Sequence, residues 1–176
     1  HCHLGKEDYE NIDLVIKKMD KNLLVASAVD LDTAREVLEL CNKYENVFGT
    51  IGYHPNEINK FDDKGLNIME QFLSNPKIVG VGEIGLDYHY GNEDKIRQKE
   101  IFIKQIELAK KYNKAIVIHS RDSAQDTYNI LKDLNLDNMR IIMHCYSYSL
   151  EMAKKFIDLG IKLGIGGTLT FKNNIK

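Results

Sequence analysis

Two patterns of apolar residues alternate along the chain. Short runs dense in aliphatic and β-branched side chains, at 23–29, 47–52, 78–84, 115–118, 140–143 and 161–165, predict strands. Between them the apolar positions return at helical spacing, predicting helices over 12–20, 32–44, 66–72, 94–112, 124–134 and 150–159. Strand and helix in strict alternation require parallel strands joined by crossovers. The strand runs are apolar on both faces, which suits strands covered on both sides and excludes a half-solvated antiparallel sheet. Six such runs, with a seventh strand implied just before His1, approach a (β/α)8 TIM-like barrel, whereas a doubly wound sheet usually offers fewer.

The polar residues that interrupt this pattern fall at corresponding places. His1 and His3 open the chain, His54 follows the second run, Glu83 sits in GEIGLD, His119 ends AIVIH and His144 ends RIIMH. Each lies at the carboxyl end of a strand, and in a parallel barrel those ends converge on one face, where active sites of this architecture form. A single histidine at a strand end is more often a hydrogen-bonded structural residue than a ligand. Five of the six histidines at one topological position point instead to a metal centre. His1 and His3, two apart, share a face of an extended segment. Glu83 can bridge two cations, and His119 and His144 add nitrogens. The expected ligands are therefore His1, His3, Glu83, His119 and His144, with Glu83 and His119 also the catalytic candidates, for one or two divalent ions. Mixed imidazole and carboxylate ligation favours manganese or zinc over magnesium.

Arg121 shares the orientation of His119 if the strand continues, making it a candidate phosphate clamp; the alternative is an ion pair with Asp122. His54 is placed on the substrate side, although Pro55 beside it also marks a turn. Asp87 can orient a ligand or cap a turn. His89 reads as a surface residue. The lysines between 94 and 114 are interleaved with Glu100 and Glu107 around an apolar stripe of Ile96, Ile103, Ile106 and Leu108, which reads as a solvated outer helix face rather than a nucleic-acid patch. The glycines of GEIG and GIGG lack nucleotide-loop spacing and read as close packing at strand ends.

Bulk composition narrows the class. With 176 residues, 43% hydrophobic and 28% charged, the chain suits one folded domain over 1–176. A net charge of −2 excludes a broadly basic nucleic-acid surface, so any such contact is local. Three scattered cysteines fit reduced thiols and a cytoplasmic setting, and no apolar run has membrane-spanning length. No stable protein partner is expected. Lacking an initiator Met and ending after a glycine-rich turn, the sequence reads as incomplete, short of a typical barrel of about 250 residues by roughly one βα unit.

The motifs HCHL at 1–4, GYHP at 52–55, GEIGLDYH at 82–89, IHSRDS at 118–123, MHCYS at 143–147 and GGTLTFKN at 166–173, in that order, resemble the TatD family of metal-dependent deoxyribonucleases, within the amidohydrolase-like barrel superfamily. The resemblance implies that His1, His3 and Glu83 hold one metal, that Glu83 is shared with a second held by His119 and His144, and that His54 and Arg121 line the substrate side. It implies magnesium as the usual metal, and DNA or a small phosphoester as the substrate. The family adds an aspartate near the end of the eighth strand, which lies past the point where this sequence stops. Tyr148 stands where the family's HCFSGS pattern has glycine, and a bulky side chain there is expected to narrow the cleft. Two other readings keep the barrel: a lactonase or amide hydrolase, favoured by a strand-end lysine that none of these strands shows, and a binding protein without catalysis.

Overall fold

The computed structural model describes residues 1–5, 9–19, 21–91 and 94–171. Helices and strands alternate as α1 (Ile12–Met19), β1 (Leu24–Ser27), α2 (Leu31–Lys43), β2 (Val47–Ile51), α3 (Asp63–Phe72), β3 (Ile78–Asp87), α4 (Lys95–Lys111), β4 (Ala115–Arg121), α5 (Ala124–Asp133), β5 (Ile141–Met143), α6 (Leu150–Asp158) and β6 (Lys162–Leu163). A 3-10 turn, Pro55–Lys60, follows β2. Helix α1 matches the predicted element except at Asp20, which lies outside the described residues.

The six strands form one parallel sheet in the order β1-β2-β3-β4-β5-β6. Every strand pairs with its neighbour in sequence, so the order never reverses. A doubly wound sheet has a switch point; a TIM-like barrel winds in one direction, as here. The start of the chain adds to the edge of β1. Cys2 forms a parallel bridge with Ala26, its N–H donating to the Val25 carbonyl and its own carbonyl accepting from Ser27 N–H, both at 2.9 Å. Among the described residues no helix is long and apolar enough to cross a membrane.

Ile84, Leu86, Ile116, Ile118 and Met143 from the strands meet Phe102, Ile106 and Phe156 from the helices in one core. Fully burying a side chain of this size contributes roughly 1.5–3 kcal/mol. Helix α2 starts from a capping box, in which the Asp30 carboxylate accepts from Thr33 N–H while the Thr33 hydroxyl oxygen accepts from Asp30 N–H.

Two predicted details are corrected. The run at 115–118 continues as strand through Arg121, so His119 and Arg121 share one face of β4. The buried stripe of α4 is Gln98, Ile101, Phe102, Gln105, Ile106 and Ala109, whereas Ile96 and Ile103 are exposed. Two amides at helical spacing, Gln98 and Gln105, belong to the buried face although polar by type. The remaining lysines of α4 face solvent as expected, and Lys99, Lys104, Lys110 and Lys111 each pair with a carboxylate.

Candidate metal centre

The centre is built around Glu83, 3% exposed on β3. Its two carboxylate oxygens face different histidines. Oε2 lies 3.2 Å from Nε2 of His1 and 3.7 Å from Nε2 of His3, and Oε1 lies 3.0 Å from Nδ1 of His119. The extended segment bridged to β1 holds His1 and His3 on one side, since alternate residues of a strand point the same way. Gly85 allows β4 to close in from the other side. Its φ is +150°, and a Cβ there would stand 1.9 Å from the His119 carbonyl oxygen.

The outer nitrogen of each ring is committed. A carbonyl only accepts, so His3 Nδ1 donates to Ser27 O at 3.2 Å, which leaves the Nε2 lone pair of the neutral ring facing Glu83. His1 Nδ1 lies 3.1 Å from the Ser27 hydroxyl. His119 Nε2 lies 3.1 Å from Asp87 Oδ2, a carboxylate 1% exposed whose other oxygen accepts from His89 N–H. Both ring nitrogens face a carboxylate, and the tautomer that donates from Nε2 to Asp87 is the one that presents the Nδ1 lone pair to a cation beside Glu83. Asp87 thus orients a ligand candidate and caps a turn at once.

Lone pairs facing a carboxylate at these separations repel unless a proton or a cation lies between them. Zinc-type ligand bonds of about 2.0–2.2 Å place two neighbouring donors on one cation roughly 3–3.5 Å apart. The donor set and its spacings fit a divalent ion on the side of His1 and His3, while Glu83 and His119 offer donors on the other side. His1, His3 and Glu83 form one group whose ligand atoms lie within 4.8 Å of one another, and His54, Glu83 and His119 form another.

His54 departs from its expected role only in proximity. Its ring stands 4.3 Å from that of His119, inside the second group, and burial followed by the charge of His119 pushes its pKa down to about 4. Nδ1 accepts from Asn56 N–H at 3.2 Å, so the neutral ring carries its proton on Nε2 and is a donor there. That tautomer suits a substrate oxygen better than a metal. His144 belongs to neither group; its ring stacks on His1 at 4.0 Å, and burial lowers its pKa. With protons rather than cations between Glu83 and its histidines, burial alone would raise Glu83, yet a hydrogen bond from a protonated His119 and its charge, with charge on His144 and His54, hold the carboxyl below the usual range.

These side chains line a cavity of about 400 Å³ bounded by His3, His54, Glu83, His119, Arg121 and His144. Arg121 makes no ion pair with Asp122, which is bonded instead to His89 Nδ1 at 3.0 Å; its guanidinium lies 5.9 Å from the Tyr90 ring centre. His89 is exposed, as expected. Tyr148 is not among the residues that line the cavity, and its hydroxyl reaches Ser120, which is.

Three supporting residues escaped the sequence reading. Ser27 holds both His1 and His3. Gln98 clamps the backbone of Asp87, accepting from its N–H at 2.8 Å and donating to its carbonyl at 2.9 Å. Gln105, two turns later, clamps Tyr53 in the same way at 2.7 and 3.1 Å, fixing the residue before His54. Buried amides at i and i+7 of one helix are the signal that finds the two glutamines; Ser27, on β1, carries no such signal.

The whole chain, residues 1–176, matches the family described as TatD related DNase. An uncharacterized metal-dependent hydrolase, YabD of Bacillus subtilis, is 35% identical over 98% of this chain and 69% of its own length. YcfH of Escherichia coli, of the same description, is 33% identical over 98% and 67%. Among solved structures, the TatD homologue YJJV of Escherichia coli superimposes with a TM-score of 0.87 at 29% identity, covering 97% of this chain and 68% of that one. A hydrolase TatD family protein of Entamoeba histolytica superimposes at 0.79 and 25% identity, covering 89% and 56%. With whole-length agreement in sequence and in barrel architecture, the chain belongs to the TatD related DNase family.

Proposed function

We propose that this chain is a metal-dependent phosphoesterase acting on DNA, with Glu83 as the carboxylate shared between two cations. The observation that carries the reading is the convergence of imidazole nitrogens on both oxygens of Glu83, each ring turned by a bond to its outer nitrogen. In this reading His1 and His3 hold one ion and His119 the other, with His144, which lines the same cavity, as a further ligand of the second. Divalent ions held by such donors activate water and withdraw charge from a phosphoryl group. His54 donates from Nε2 to a substrate oxygen, and the Arg121 fork, with no carboxylate bound to it among the described residues, takes two non-bridging phosphate oxygens. The free fork favours a phosphoester over a lactone or amide, which offers no such anion.

Elemental analysis of the purified protein, followed by hydrolysis of single-stranded DNA with magnesium, manganese or zinc restored after chelation, tests the reading. Metal content of one to two ions per chain and cation-dependent cleavage are expected. Absence of bound metal at neutral pH after titration with all three would remove the centre, and metal binding without cleavage of any phosphoester would remove the substrate class.

A further inference from the structure

The turn from Ser120 to Ser123 carries Arg121, and one carbonyl sets the direction of its main hydrogen bonds, with Thr127 in reach of both serine hydroxyls. The Ser123 hydroxyl contacts the Leu86 carbonyl at 2.9 Å; a carbonyl cannot donate, so the only proton of that hydroxyl goes there. Ser120 Oγ, 3.0 Å from Ser123 Oγ, must then donate to it. With its own proton used, Ser120 accepts from the Tyr148 hydroxyl at 2.8 Å and from Thr127 at 3.0 Å. The Tyr148 oxygen in turn accepts from Ser123 N–H at 3.2 Å. The chain of donors runs from Ser123 N–H through Tyr148, Ser120 and the Ser123 hydroxyl to β3, and such chains strengthen one another. Ser123, the N-cap residue of α5, consequently gives its helix no side-chain cap.

We propose that Tyr148 is a positioning residue, whose hydroxyl staples both ends of this turn and so fixes Arg121 at the mouth of the cavity. It reaches from the segment after β5 to touch the side chain of Ser120 and the backbone of Ser123, the residues on either side of Arg121 and Asp122. Between those anchors Asp122 holds a φ of +53°, in the left-handed region that aspartate enters more readily than most non-glycine residues. Ser120 lies between His119 and Arg121 on β4 and borders the same cavity, so the staple acts directly beside the residues that line it. A glycine at 148 offers no such hydroxyl. The turn itself is independent of the proposed function, but the consequence for substrate rests on the phosphoester reading, in which Arg121 grips phosphate.

Amide hydrogen exchange and the side-chain NMR signals of Arg121 read the staple without substrate. In Tyr148→Phe, which keeps the ring against Tyr146, exchange at Ser123 N–H is expected to rise about tenfold while the body of α5 is unchanged. The Arg121 signals, displaced by the Tyr90 ring, are expected to move toward unstacked values. Ser120→Ala breaks the relay at another link and should reproduce both changes. Tyr146→Phe, whose hydroxyl donates only to Ser149 O, should produce neither. With a phosphodiester substrate, Tyr148→Phe should raise KM about three- to tenfold with kcat nearly unchanged, and add nothing in an Arg121→Ala background. Unchanged exchange and unchanged Arg121 signals in Tyr148→Phe overturn the staple, and a KM effect that adds in full to that of Arg121→Ala overturns its action through Arg121. If the wild-type protein cleaves no phosphoester, the proposed function fails, while the exchange and NMR results still decide the staple.

Discussion

The mouth of the sheet and the outer helices use the same charged residue types to opposite ends. At the mouth, Glu83 and Asp87 are 3% and 1% exposed and face imidazoles, with each contact set by a backbone or a second buried side chain. On the outside, Lys43 with Asp13, Lys104 with Asp63 and Arg35 with Asp32 are ion pairs of ideal length, 2.8–2.9 Å, between side chains at least half exposed. Distance does not distinguish the two regions; solvent does. A buried carboxylate must be matched by protons or cations, whereas an exposed pair is screened and adds at most about 1 kcal/mol. On the proposed reading the charge at the mouth serves chemistry, whereas the charge on the helices is screened by water.

The sharpest test of this contrast is Glu83→Gln. Removing the shared carboxylate is expected to abolish metal retention and hydrolysis, measured by elemental analysis and turnover. His54→Ala, which loses one donor to substrate, should keep its metal and lose about 10- to 100-fold in rate. Equal residual rates in the two variants would erase the distinction between them.

Asp87→Asn comes next. The amide still fills the space beside Gln98, but it no longer enforces the His119 tautomer, so metal affinity or activity should fall about 10- to 100-fold. Unchanged affinity would mean that Glu83 alone orients His119.

Asp30 stands between the two regions, 5% exposed but paired with Lys60 at 2.7 Å on the surface. Burial opposes its charge, yet the bonds from Lys60 and Thr33 outweigh it and lower its pKa. A carboxyl lowered in the fold stabilises above its unfolded value of about 3.9 and loses that contribution as pH falls through its folded value. Asp30→Asn keeps a helix cap, so the wild type should exceed it by about 1 kcal/mol at pH 7, and the gap should close below about pH 4 in denaturant titrations. A gap independent of pH would place the effect in packing.

Lys104→Ala should have the smallest effect: stability lowered by less than about 1 kcal/mol, still less at high salt, and unchanged hydrolysis. Loss of DNA cleavage in this variant would show that the α4 lysines bind the substrate after all.

Much of the molecule was legible in one dimension. Strand runs apolar on both faces implied a sheet covered on both sides, and their alternation with helices implied parallel order, because period and composition are local properties that crossovers translate directly into topology. The same logic placed His1, His3, His54, Glu83, His119 and His144 at one end, since parallel strands bring their carboxyl ends together whatever lies between. The α4 stripe was misread because Gln98 and Gln105 are polar by type, and only the backbones of Asp87 and Tyr53 packed against them give those amides partners.

By itself the sequence determined the order of elements, the shared rim and the residue types on it. Tertiary structure alone decided which nitrogens of His1, His3 and His119 turn inward, that Ser27 serves two histidines, and that Tyr148 reaches back to the turn carrying Arg121. Each of these depends on a hydrogen bond between residues whose approach is set by strand register and by the closeness that Gly85 permits. No local period encodes such an approach.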